Sequence, residues 1–217
     1  MNFLEILWQL AHGLAYTILV TLVCSLTGVA AGLFVACLRR LNQPLLNGVF
    51  IAYTYIFRGV PVLVMLFLVY FGLPGVGLKV SPLLAMALSL GLITGAYLAE
   101  IFRGALASVD SAEISAAEAM GLRRTQIFLY IEMPQMLRFA LPGMVNEFTS
   151  VLKYSPFAYT VGIPEMTKQA MNLTATTMQG IEIYLAVGML YFAIYRILLA
   201  GIRWLERRYH IPGLQAP

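Results

Sequence analysis

Long stretches without a single charged residue dominate this chain. Leu14 to Leu38, Gly59 to Leu78 and Val80 to Ala99 are free of Asp, Glu, Lys and Arg. Each meets the roughly 20 apolar residues that a helix needs to cross a bilayer core of about 30 Å. Ile183 to Tyr195 is shorter and extends to Ile202 if Arg196 is tolerated, and Phe139 to Leu152 is interrupted only by Glu147. The pattern predicts an all-α integral membrane protein of about five transmembrane helices, forming a single domain over residues 10–208.

Polar and helix-breaking residues divide these spans. Residues 1–12 read as a short amphipathic lead-in, with Phe3, Leu4, Leu7 and Trp8 opposite Glu5 and Gln9. Asn42-Gln43-Pro44 is a turn, and span two starts near Leu46 with a kink at Pro61. Leu73 to Gly77 turns the chain again, and span three runs from Pro82 to about Ala107. Residues 111–120 then predict a short helix, with Asp110 as N-cap, Glu113 at capping-box spacing and Gly121 as the left-handed stop. Its small face would consist of Ala112, Ala116 and Ala119, with Met120. Thr125 caps a second short helix that ends where Pro134 opens span four, at about 135–153. Residues 154–180 read as a long irregular loop, and span five follows. Gly28 and Gly32 fit a small-residue helix contact, either within the chain or between subunits.

Composition agrees with this reading. The 217 residues are 60% hydrophobic and 11% charged, against roughly 25% charged in soluble domains. The net charge of +4 does not point to nucleic acid, because its basic residues are neither dense nor interleaved with aromatics. They cluster between spans: Arg39-Arg40, Arg123-Arg124, and Arg203 with Arg207 and Arg208. By the positive-inside rule these clusters are cytoplasmic, which puts the N-terminus outside and the C-terminus inside. Trp204 and Tyr209 suit an interfacial belt. The first span reads as a membrane helix rather than a secretion signal, since Met1 to Gly13 lacks Lys and Arg. Cys24 and Cys37, thirteen residues apart on one helix, lie about 20 Å apart and read as packed thiols. His12 and His210 have no neighbours at ligand spacing, so no metal site is expected. Neither a Gly-x-Ser-x-Gly elbow nor a phosphate-binding Gly-x-x-x-x-Gly-Lys-Ser/Thr loop occurs. No catalytic residue is expected.

The polar segment at about 109–134 resembles the EAA motif of ABC-transporter permeases. That motif is Glu-Ala-Ala, three residues, Gly, nine residues, Ile, one residue and Leu-Pro. Here Ser115-Ala116-Ala117, Gly121, Ile131 and Met133-Pro134 stand at the same spacing, with Ser115 in the acidic position and Met133 in place of leucine. Arg58 to Leu63, Tyr70 to Pro74, Ala96 to Gly104, and Asn146-Glu147-Phe148 with Leu152-Lys153 resemble the polar-amino-acid uptake permeases. Where such permeases often continue Lys-Asp-Thr-Ser-Leu, this chain reads Lys153-Tyr154-Ser155-Pro156-Phe157.

The resemblance implies a type I ABC importer permease fold in the bacterial inner membrane. Its partners would be two ATP-binding subunits, a second permease subunit (identical or a sister chain), and a periplasmic or lipid-anchored amino-acid-binding protein. The coupling segment would dock the ATPase through Glu113, Ser115, Ala116, Ala117, Gly121, Ile131 and Pro134. Charge at bilayer depth costs about 2.5–3.5 kcal/mol on insertion scales and usually faces a partner or a wet cavity. Glu100, Asn146 and Glu147 are therefore candidates to line a solute pathway, as are Arg58, Tyr97 and Lys153, while Arg103 offers a further positive charge. Glu100 and Arg103 also stand at the i,i+3 spacing of a simple helix ion pair. The alternatives are a permease for another small solute, such as an osmoprotectant or metal chelate, and an ion-driven secondary transporter. A secondary transporter would call for inverted repeats, and none is visible. A membrane enzyme lacks support for want of paired His or acidic clusters.

Overall fold

The computed structural model describes residues 2–40 and 43–208, with side chains through Trp204. Asn42, Tyr209, His210 and the side chains of Arg207 and Arg208 lie outside the described residues. Every regular element among those described is helical. The elements are α1 (Phe3–Arg39), α2 (Pro44–Gly59), α3 (Val62–Val76) and α4 (Pro82–Ala107). They continue with α5 (Ser111–Ala119), α6 (Arg124–Ile127), α7 (Met133–Tyr154), α8 (Met166–Thr177) and α9 (Gly180–Arg208).

Helix α4 forms the centre. In its most apolar stretch 67% of residues are buried within the chain, against 11% in α9, whose apolar surface is left for lipid or another subunit. The α1–α4 contact is a zipper of small residues. A Cβ on Gly28 would come within 2.6 Å of Thr94 Cγ2, one on Gly95 within 2.7 Å of Ala31 Cβ, and one on Gly32 within 2.8 Å of Leu98 Cβ. The Gly28/Gly32 pattern thus packs within the chain.

A single π-turn, Ala87–Gly91, interrupts α4. Such turns release backbone groups that must find partners at bilayer depth. Here Ser89 Oγ donates to the Ala85 carbonyl at 2.6 Å and Tyr53 Oη to that of Leu92 at 2.7 Å. Cys24 Sγ donates to the Met86 carbonyl at 3.4 Å, so this thiol is buried and bonded rather than merely packed.

Several expectations are corrected by the packing. The lead-in is not a separate interfacial helix: α1 runs unbroken from Phe3, because Ile6 and Leu10 are fully buried against Ala170, Ile183 and Ala186. Span two is broken rather than kinked. Val60 adopts φ −95°, ψ 130°, and α3 starts after Pro61 at 107° to α2; proline pushes its predecessor into extended backbone and cannot supply the missing donor. Residues 154–180 are mostly helical, through a 3₁₀ turn (Ser155–Val161) and α8. Glu165 caps α8, with its carboxylate accepting the Thr167 and Lys168 N–H groups at 2.8 Å each and the Tyr191 hydroxyl at 2.9 Å.

On length and hydropathy, α1, α4 and α9 can each cross a membrane, and α2 with α3 makes a fourth if the bent pair is one span. Helix α7 is long enough at 22 residues but falls short in hydropathy. It earns its place by packing Met136 and Ala140 against Leu98 and Phe102 of α4.

Candidate functional site

Two helical faces meet at the α2–α3 break. Leu90, Ile93, Thr94 and Tyr97 of α4 stand at i, i+3, i+4 and i+7, and so do Glu147, Ser150, Val151 and Tyr154 of α7. Residues at these spacings share one side of a helix. Together with Arg58 to Leu63 and Phe157 they line a partly open cavity of about 580 Å³. That size falls inside the range of about 300–1,000 Å³ usual for small-molecule sites.

The break matters because it turns the chain sharply just after Arg58. The Arg58 guanidinium stands over the Tyr97 ring, 4.9 Å from its centre. Glu147, half-buried on α7, lines the same cavity. Among the described residues no ion pair joins the two charges. A guanidinium and a carboxylate at one cavity without direct pairing leave room for a ligand that carries both signs of charge.

Of the six candidate pathway residues, the fold brings Arg58, Tyr97 and Glu147 together. Asn146 is exposed and outside the cavity lining, although its carbonyl accepts from Thr149 and Ser150. Lys153 turns toward α9, with Nζ 5.9 Å from the Tyr195 ring centre. Glu100 accepts from Arg39 at 2.6 Å and from Arg103 at 2.8 Å. The i,i+3 pair is thus real, and Arg39 extends it into a tie between α1 and α4. Thr94, Ser150, Tyr154 and Phe157 escaped the sequence reading; stepping in helical spacing from Tyr97 and Glu147 would have found the first three.

Glu100→Gln is accordingly expected to weaken that tie by roughly 1.5–3 kcal/mol, the range for hydrogen bonds to charged groups. Lower thermal stability in detergent with an unchanged KM for uptake is the anticipated result. A shifted KM at normal stability would return Glu100 to the solute path.

At the far end of the bundle lies the polar loop. Asp110 caps α5 by accepting the Ala112 N–H at 2.8 Å. The reciprocal half of the capping box is not made: Glu113 instead accepts from Gln135 Nε2 at 2.5 Å, which ties the loop to α7. Gly121 ends the helix at φ +81°. Its N–H donates to the Glu118 carbonyl at 2.9 Å and that of Leu122 to Ala117 at 3.1 Å, which is a Schellman stop. Ser115 donates its hydroxyl back to the Ser111 carbonyl at 2.9 Å. Ala117 is buried, whereas Ala112, Ala116, Ala119 and Met120 are exposed as a small-residue face. The second short helix starts after Arg123 rather than Thr125, because Gln126 Oε1 accepts the Arg123 N–H at 2.8 Å. Ile131 belongs to a π-turn (Phe128–Glu132) and Pro134 to the first turn of α7, where its missing N–H costs nothing.

Arg39, Arg40, Arg103 and Arg124 line one cleft of about 960 Å³ beside this loop, along with Ile114, Glu118 and Glu132. Glu132 is buried and ion-paired with Arg40, and the Arg40 guanidinium also faces the Phe128 ring at 5.3 Å. Basic clusters far apart in sequence therefore gather at the end of the bundle that carries the loop.

A family model described as the binding-protein-dependent transport system inner membrane component matches residues 28–211. A probable amino-acid ABC transporter permease protein of Bacillus subtilis (strain 168), YckA, is 33% identical over 197 residues, covering 91% of this chain and 87% of the relative. The histidine/lysine/arginine/ornithine transport system permease protein HisQ of Escherichia coli (strain K12) is 32% identical, covering 89% and 91%. Among solved structures, an amino acid ABC transporter crystallised with histidines superposes with a TM-score of 0.86 at 29% identity, over 96% of this chain and 99% of that one. The MetNI methionine ABC transporter in an inward-facing conformation shares the fold, with a TM-score of 0.78 at 21% identity over 94% and 97%.

Proposed function

The chain belongs to the family of inner membrane components of binding-protein-dependent transport systems, and from that premise we propose that it is the permease subunit of an ATP-driven importer of amino acids. The relatives named as amino-acid permeases support this solute class over an osmoprotectant or metal chelate. Family membership likewise favours an ATP-driven machine over an ion-driven carrier.

In this reading the permease contributes the path and its partners contribute energy and delivery. ATP and Mg belong to an ATPase subunit, since this chain has no phosphate-binding loop of its own. The ATPase docks on the loop at 109–134, whose exposed alanines allow close approach. A second permease subunit completes the path, and a binding protein delivers the amino acid from the other side. The gathering of Arg39, Arg40, Arg103 and Arg124 beside the loop supports placing that end in the cytoplasm, and hence the N-terminus outside a bacterial inner membrane. Nucleotide binding draws the ATPases and the attached loops together, and the helices pivot around the cavity. The equilibrium moves only by the difference in ligand affinity between the two states.

The observation that carries the reading is the pair of opposite charges at one cavity, Arg58 and Glu147. An amino acid presents a carboxylate and an ammonium close together, and the cavity offers a counter-charge for each. Glu147→Gln is expected to raise the KM for uptake, and to weaken amino-acid stimulation of ATP hydrolysis, while the ATPase still co-purifies. Unaltered uptake kinetics in proteoliposomes would remove Glu147 from the path.

A further inference from the structure

The cavity has a narrower chemistry than its two charges alone convey. Its wall holds one guanidinium, Arg58, and one carboxylate, Glu147. The other polar side chains, Thr94, Tyr97, Ser150 and Tyr154, are uncharged, and the remaining side chains of the lining are hydrocarbon or aromatic. Leu90, Ile93 and Val151 are buried, which gives the cavity a rigid apolar side. Tyr154 and Phe157 add a flat one, their rings stacked 6.0 Å apart at an interplanar angle of 21°.

From this inventory we propose that the cavity selects amino acids whose side chain carries no charge, and that Leu90, Ile93, Val151, Tyr154 and Phe157 form the side-chain subsite. The proposal rests on the reading of the cavity as the amino-acid site. Charge balance drives it. The α-carboxylate pairs with Arg58 and the α-ammonium with Glu147, which consumes both fixed charges of the wall. A third charge, on an arginine, lysine, glutamate or aspartate side chain, would be taken from water into an apolar subsite without a counter-charge, and such a transfer is strongly disfavoured. An uncharged side chain gains from the same wall through burial of its apolar surface. Hydroxyl or amide groups find donors and acceptors in Thr94 and Ser150.

The test uses the permease–ATPase complex purified without its binding protein, so that the cavity's selectivity is read alone. Radiolabelled glutamine, methionine and phenylalanine are measured for binding against arginine, lysine and glutamate. The expected result is saturable binding of at least one uncharged amino acid. The charged set should bind roughly a hundredfold more weakly, the order implied by an uncompensated charge at bilayer depth. Arg58→Gln and Glu147→Gln should each abolish binding of the uncharged amino acid. Ile93→Asp, which adds a carboxylate to the subsite, should shift preference toward arginine and lysine. Wild-type binding of a charged amino acid as tight as that of the uncharged ones would overturn the selectivity and leave the site reading intact. Binding of no amino acid by an assembled complex, or binding untouched by both charge-removing variants, would overturn the site reading and the proposal with it.

Discussion

Gly13→Leu is expected to prevent the chain from accumulating as a folded membrane protein. A Cβ at this position would lie 2.6 Å from the Met166 nitrogen and 2.7 Å from the Glu165 carbonyl carbon and Met166 Cα. These are backbone atoms, so no side-chain rotation relieves the clash. The backbone in question is also pinned. Thr17 Oγ1 accepts the Met166 N–H at 3.3 Å, and Glu165 holds the start of α8 through Thr167, Lys168 and Tyr191. Moving α8 away would give up buried hydrogen bonds worth about 1–3 kcal/mol each when a partner is orphaned. Overpacking typically adds a further 1–3 kcal/mol or so. Together these are a large part of the roughly 5–15 kcal/mol that stabilises a domain. Membrane yield and size-exclusion profile in detergent report the outcome, with Gly188→Leu as control because a Cβ there meets nothing within 4 Å. A monodisperse Gly13→Leu protein at normal yield would show that α1 and α8 are not in backbone contact.

Gly121→Val is expected to abolish uptake while leaving membrane insertion and yield intact. The position is open, with nothing within 4 Å of a built Cβ, so the effect is conformational rather than steric crowding by neighbours. At φ +81° a side-chain-bearing residue pays about 1–2 kcal/mol, and a β-branched one fits worst. The Schellman bonds from Gly121 and Leu122 would be given up, and the exposed alanine face of α5 would lose its fixed direction. Loss of ATPase co-purification together with loss of uptake is the expected pattern. Gly121→Asn should retain much of both, because asparagine tolerates the left-handed region. Equal loss in the two variants would point to contact by the residue itself rather than to backbone conformation.

Much of this molecule was legible from local signals. Asp110 and Gly121 marked the two ends of α5 because capping and left-handed stops depend on a few adjacent residues. Span three reads as Pro82 to about Ala107, and α4 has those same bounds. Glu100 and Arg103 were readable as an ion pair from their i,i+3 spacing, but Arg39, which completes it, lies 61 residues away. The start of the short helix α6 differs from the local expectation because Gln126, not Thr125, satisfies the Arg123 N–H. Residues 154–180 look loop-like in sequence because their glycines and prolines sit at helix boundaries. Within the candidate site, Arg58, Tyr97 and Glu147 were separately visible as polar groups in apolar runs. Their convergence was not, since the 107° break at Pro61 has a size that no local rule sets.

Residue order alone is enough to show that this chain is helical and membrane-embedded, where α5 starts and stops, and which family it resembles. Those properties follow from hydrophobicity summed along the chain, from caps within a turn, and from motif spacing. Which charges from distant parts of the chain meet, and which stay open, is a matter of tertiary packing. Glu100 is shared between Arg39 and Arg103, whereas Arg58 and Glu147 line one cavity with no ion pair between them among the described residues. Electrostatic pairing falls off within a few ångströms, and only the packing of α1, α2, α4 and α7 brings residues from distant parts of the chain that close.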